Sequence, residues 1–208
     1  MRRLNIFVVV VLFMFIAAGV LPSMAIASSE SNSSIEQTFQ TAKKNYLEKN
    51  MNAAAQQIQK SALYMKEKSK EASAKGKEAL NASANELEKL ADDVKKGTVT
   101  SVKRIEETFA RAYVALALDS HVKSTESWAK KEKVKAGDAL ESTNEYLDKS
   151  FTWAGRKIET GTKEVMKKSR DLSLKLKKKG SVVAEDVGKG LKATGDEIEK
   201  FGKKISSK

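Results

Sequence analysis

The chain has 208 residues, with 39 Lys and Arg against 27 Asp and Glu for a formal net charge of +12, and it contains no Cys, one His and one Pro. The lack of cysteine excludes disulfides, thiolate metal sites, thiol nucleophiles and acylated lipoprotein cysteines, and a lone His121 excludes a multi-histidine metal cage in one chain. One proline, Pro22, and 11 glycines are too few for the turns of a many-stranded β fold, so the composition predicts an all-α protein.

Residues 1–27 read as an export signal. Arg2 and Arg3 form a positive start, Ile6 to Leu21 is an uncharged apolar run, and Ala25-Ile26-Ala27 supplies the small residues of a cleavage site. The apolar run falls short of the roughly 20 residues that span a bilayer, which favours cleavage after Ala27 over a retained anchor. Its strong hydrophobicity points to the general secretory route, and thus to a periplasmic or extracellular protein, free or peripheral at the membrane. Residues 28–34, Ser-Ser-Glu-Ser-Asn-Ser-Ser, contain no apolar side chain and predict a disordered tether.

Helical periodicity begins at Ile35. Ile35, Phe39, Ala42, Tyr46 and Leu47 recur every three or four residues, and Lys49-Asn50 then makes a short break. From Ile58 to Val94 a second stripe keeps a period of about 3.6, the repeat of an undistorted α-helix, with a close approach or a bend expected at Gly76. Lys95-Lys96-Gly97 closes it with cations and a glycine at a helix C-terminus. The Tyr-Leu pair, polar turn and Ala53-Ala54-Ala55 resemble a helical-hairpin repeat unit, but nothing recurs at the 34-residue tetratricopeptide period.

Thr100 or Ser101 can cap the next helix. Phe109 to Leu118 is apolar nearly all round and predicts the centre of the core, Val102 to Leu118, which Trp128 extends. Lys130 to Lys133 reads as a surface turn, and Asp138, after Gly137, as the acidic start of another helix.

The last stripe runs from Leu147 through Phe151, Ile158, Leu172, Leu176, Val183, Val187, Leu191, Ile198 and Phe201 to Ile205, again at about 3.6 residues per step. This period disfavours a left-handed coiled coil and predicts one long helix, with a break expected near Gly180. Glycines 188, 190, 195 and 202 each cost about 1 kcal/mol in a helix interior, so this helix needs its apolar face covered. Charge is concentrated here: residues 155–208 hold 16 Lys and Arg and 8 Asp and Glu, against 21 and 19 in residues 28–154.

Lys167, Lys168, Arg170, Lys175, Lys177, Lys178 and Lys179 flank the apolar Leu172, Leu176, Val183, Val187, Leu191, Ile198, Phe201 and Ile205. That layout predicts either an amphipathic helix docking on an anionic membrane or a stripe that completes a helical bundle or meets a helical partner. Self-association is open on the same grounds. In composition, residues 156–208 are similar to segments of exchangeable apolipoproteins and desiccation proteins; that likeness assigns no residue a role.

Chemistry-bearing constellations are sparse. His121 has no second histidine and no Glu three residues before it, and reads as structural. Ser120-x-x-Lys123 and Ser127-x-x-Lys130 match an acyl-transfer pattern without its companion motifs. Asp92-Asp93 and Glu106-Glu107 are adjacent on helices and so point apart. Gly188-Lys189-Gly190 follows no strand and forms no phosphate loop. Export argues against nucleic acid as the ligand of the positive charge.

The sequence therefore predicts an elongated set of helical hairpins, or a bundle of about four to five helices, with a long amphipathic C-terminal helix. Its parts are the signal peptide (1–27), tether (28–34), bundle (35–155) and basic segment (156–208). The predicted function is a non-enzymatic, cofactor-free interaction or stress protein of the cell envelope. The alternative is a soluble bundle that binds a ligand among Trp128, Trp153, Tyr46, Tyr64, Tyr113 and Tyr146.

Overall fold

The computed structural model describes residues 25–178 and 182–206, with side chains from Ser34 onward. Among these residues there are seven α-helices and no strands: α1 (Ala25–Leu47), α2 (Met51–Lys70), α3 (Ala74–Lys95), α4 (Val102–Ala129), α5 (Lys133–Trp153), α6 (Thr160–Lys177) and α7 (Ala184–Ser206). The all-α class holds, but with seven helices instead of four to five, because both long periodic stripes fold back on themselves. The expected start of the signal, Arg2 to Pro22, and the expected break at Gly180 lie outside the described residues.

Residues 28–34 differ from the expected tether. They continue α1 without interruption. Extending a helix that is already nucleated by the packed turns from Ile35 fixes few new torsions per bond gained, so a polar run can follow it. The proposed cleavage point after Ala27 falls in the first turn of this helix.

The stripe from Ile58 to Val94 is two antiparallel helices. Its break lies at Glu71–Ser73, ahead of Gly76. Ser73 caps α3 by accepting from the Gly76 amide at 3.1 Å, while the Ser73 amide donates to Asp119 Oδ1 of α4 at 3.1 Å. Both helices turn the same stripe into the core, so the phase survives the turn and the period alone cannot reveal it.

Helix α4 is the hub: it packs against α1, α3, α5 and α7. At 28 residues it is about 42 Å long, and Ser101 caps it by accepting from the Lys103 amide. Inside the bundle, Phe39 of α1 stacks on Phe109 at a centroid separation of 3.9 Å, and Trp153 of α5 meets both rings edge-on. The Lys130–Glu132 turn is present, with Lys131 at φ 62, but α5 starts at Lys133, so Gly137 and Asp138 lie within it. Gly137 is there for packing, since a Cβ on it would meet the Ser173 carbonyl oxygen at 2.8 Å and Lys177 Cγ at 2.7 Å.

The long C-terminal helix is corrected to three elements. Helix α5 ends at Trp153, Gly155 turns the chain at φ 60, and α6 and α7 follow as separate helices. Helix α6 lies on α5, and α7 lies on α6 and α4. Glu159, just ahead of α6, joins this arrangement through ion pairs to Lys200, at 3.2 Å, and Lys204 of α7. The buried apolar residues form two clusters: a main one from α1 through α7, and a smaller one of Ala136, Leu140, Leu172, Leu176, Val187 and Leu191, against which Trp128 and Val182 pack.

Candidate functional site

The seven-residue apolar set Leu172, Leu176, Val187, Leu191, Ile198, Phe201 and Ile205 is buried in the bundle. Phe201 packs on Phe151 of α5 at 3.8 Å between ring centroids. Only Val183 of the predicted apolar face is open, at 62% exposure. Covering by α4 and α6 supplies the support that the glycine-rich α7 requires.

The charge of the C-terminal segment is uneven. Helix α7 carries five Lys and five Asp and Glu, and its lysines pair within the helix, as in Lys189 with Glu185 and Lys192 with Asp196, both at 2.6 Å, or with Glu159. Helix α6 carries six Lys and Arg against two acids. Two of those cations are tied to α5: Lys177 reaches Glu141 at 2.6 Å and Asp138 at 3.2 Å, and Arg170 reaches Asp148. The hydrogen bond to Glu141 opposes a smaller desolvation effect and raises the Lys177 pKa.

Lys163, Lys167, Lys168, Lys175 and the adjoining Lys178 are exposed, and none has an ion-pair partner among the described residues. At 3.6 residues per turn they cover about 140° of the helix circumference. Glu164, Asp171 and the exposed Leu174 share that arc. The opposite face, with Thr162, Met166, Ser169, Leu172, Ser173 and Leu176, is buried. Thus the structure gathers five of the predicted basic and neighbouring lysines on one free surface, diverts Lys177 and Arg170 into interhelical pairs, and removes most of the apolar residues to the interior. Lys179 lies outside the described residues.

Of the aromatic residues of the alternative reading, Tyr113 and Tyr146 line a small pocket of about 210 Å³ with Glu145, Asp148 and Lys149, and the others are placed elsewhere. Tyr113 and Trp153 are core residues that donate to the Glu36 carboxylate at 2.6 and 3.3 Å, and Tyr46 donates to the Val99 carbonyl at 2.8 Å. Burial pulls the Glu36 carboxyl upward, but donors from Tyr113, Gln40 and Trp153 and the charge of Lys149 outweigh it and hold the pKa below 4.5. Burial, and then the bond to Glu36, push the Tyr113 pKa up. Trp128 is far from this cluster in the packing, on the smaller core.

His121 faces Gly195 of α7, where a Cβ would meet its Nε2 at 2.7 Å. Its Nδ1 is buried without a hydrogen-bond partner among the described residues. Burial lowers its pKa, as does Lys75, while Asp196 acts in the opposite sense. Lys123 of the Ser120 motif is held by Asp119 at 2.7 Å, Asp93 by Arg104, and Glu106 by Lys43 at 2.6 Å. Among the described residues no group of three or more His, Asp or Glu is placed to hold a metal ion, and no helix is long and apolar enough to cross a membrane.

One surface feature escaped the periodicity. A groove of about 830 Å³ opens between α6 and the start of α7; Val165 of its lining belongs to the apolar stripe, while Val182, Gly190 and Ala193 lie beside the stripe without belonging to it. The run Val182-Val183 before an acidic helix start is the signal that the sequence offered. No family model, curated protein or solved structure matches this chain.

Proposed function

We propose that this chain is an exported, non-enzymatic helical interaction protein of the cell envelope, which docks on an anionic membrane surface through the outer face of α6. The observation that carries this reading is the set of five exposed lysines on and beside α6 without counter-ions among the described residues. Every lysine of α7 is ion-paired, whereas these are not, and so they are available to phosphate headgroups, at roughly 1 kcal/mol per lysine near an anionic surface. The docking is electrostatic and peripheral, with the bundle intact, in place of an apolar helix face laid into the lipid.

Flotation with vesicles tests it. The chain, expressed for export, is expected to float with phosphatidylglycerol-containing vesicles, to ignore pure phosphatidylcholine, and to detach at 1 M salt, where screening lengths fall to about 3 Å. Replacing Lys163, Lys167, Lys168, Lys175 and Lys178 together by Gln should abolish flotation, while Lys192→Gln with Lys203→Gln on α7 should not. Equal binding to neutral vesicles, or retention by the five-fold variant, would count against the reading. Binding to a helical protein or to a second copy in place of vesicles would replace the membrane with that partner.

A further inference from the structure

The groove between α6 and α7 has the volume of a small-molecule site, about 830 Å³ where such sites run roughly 300–1,000 Å³. Its apolar lining comes from Val165 and Leu172 of α6, Val182 and Val183 ahead of α7, and Val187 and Ala193 of α7. Leu172 and Val187 also belong to the smaller core cluster, so one wall is the outer side of a packed interior. Gly190 lets α7 sit close to Leu172, as a Cβ there would lie 2.6 Å from Leu172 Cδ2.

The charges at the rim are asymmetric. Lys168 and Lys175 stand four residues before and three after Leu172, on one edge, and neither has an ion-pair partner among the described residues. On the opposite edge Lys189 is paired to Glu185, and Asp186 lies in the first turn of α7, where the helix N-terminus favours a carboxylate. Asp171 is the one acid on the α6 edge. Among the described residues the lining contains no aromatic ring on which a sugar or base could stack and no Ser, Thr, Asn or Gln side chain to orient a polar ligand.

We propose that this groove binds the hydrocarbon chain of a single-chain anionic amphiphile, a long-chain fatty acid or a lysophospholipid, with its headgroup on Lys168 and Lys175. Both ligands share an acyl chain and an anionic head, and the chain would cover Val183, the most exposed large apolar residue of the molecule's described part. The inference shares Lys168 and Lys175 with the docking face of α6 but does not require membrane docking, since a ligand dispersed as monomers needs no lipid surface.

The test uses the full chain, expressed for export, and cis-parinaric acid, a fluorescent long-chain fatty acid, below its micellar concentration. Saturable binding with one site per chain is expected, displaced by palmitate and by lysophosphatidylglycerol but not by hexanoate. Palmitate displacing alone assigns the site to fatty acids; lysophosphatidylglycerol alone assigns it to lysolipids. Val183→Asp, at an exposed position that leaves the fold intact by circular dichroism, should weaken binding at least ten-fold, and so should Ala193→Phe. Lys168→Glu with Lys175→Glu should weaken it similarly, and oleyl alcohol should compete far less well than oleate. Binding of the monomeric acid should persist at 1 M salt, where vesicle flotation is lost. Absence of saturable binding, or indifference to both Val183→Asp and Ala193→Phe, overturns the proposal even if vesicles still bind. Equal competition by oleyl alcohol overturns the assignment of the two lysines.

Discussion

Gly76 and Gly188 both sit inside helices, yet they are glycine in very different surroundings. A Cβ on Gly76 would lie 2.1 Å from Asp119 Oδ1, whereas one on Gly188 meets nothing within 4 Å. Gly76→Ala is therefore expected to destabilise the protein by about 1–3 kcal/mol through overpacking, despite alanine's better helix propensity. Gly188→Ala should stabilise it by about 0.5–1 kcal/mol, and urea unfolding of the two variants checks the contrast. Glu36 supplies a second test at this scale. Its folded pKa is lowered, so its contribution is present above the unfolded value near 4.5 and is lost as pH falls through the folded one. Glu36→Gln should cost about 1–2 kcal/mol at pH 7, and the gap to the parent protein should close on acidification below pH 4. Sequence reading placed Gly76 at a close approach or a bend, and the close approach to Asp119 is what the structure contains; nothing local to Glu36 announced a partnership with Tyr113 and Trp153, residues 77 and 117 positions away.

At the scale of elements, the contact between α4 and α7 contains the one histidine. His121 is expected to be neutral in the folded protein, because burial and then Lys75 lower its pKa below the ordinary 6.5, with Asp196 opposing them. A histidine with a depressed folded pKa leaves stability intact at high pH. As pH falls through the unfolded value near 6.5 the unfolded chain takes up the proton first, and stability declines until the folded pKa is passed. Thermal unfolding between pH 7.5 and 5 should show this decline, and His121→Gln should flatten it. The helices themselves were largely readable, since Ser101, the Lys95-Lys96-Gly97 ending and the Lys130 turn mark their own termini. The turns at Glu71–Ser73 and Ala154–Glu159 were not, because apolar and small residues continue at helical spacing through both. Charge behaves in the same way: residues 155–208 are basic as a whole, but which lysines stay free depends on where Glu141, Asp148 and Glu159 arrive.

For the whole molecule, α7 is a closing element rather than an appendage. It buries Val187, Leu191, Ile198, Phe201 and Ile205 against its neighbours, and each fully buried side chain of this kind contributes about 1.5–3 kcal/mol. A chain ended after Lys178 should therefore unfold at a markedly lower temperature and bind a hydrophobic dye, which calorimetry and dye fluorescence would register. An undiminished cooperative transition would contradict this account of the core. The sequence by itself determined that the protein is helical, where several helix ends fall, which residues are apolar enough to be buried, and that positive charge gathers after residue 155. These follow from period, capping and composition, all of which act within a few residues. The tertiary structure alone decided that the two long stripes are hairpins, that the C-terminal apolar face closes the bundle, and that a lysine surface and a groove remain on α6. Those outcomes depend on which faces meet across dozens of residues, and a periodic stripe is equally suited to a lipid surface, a partner or its own chain until one of them is near enough to cover it.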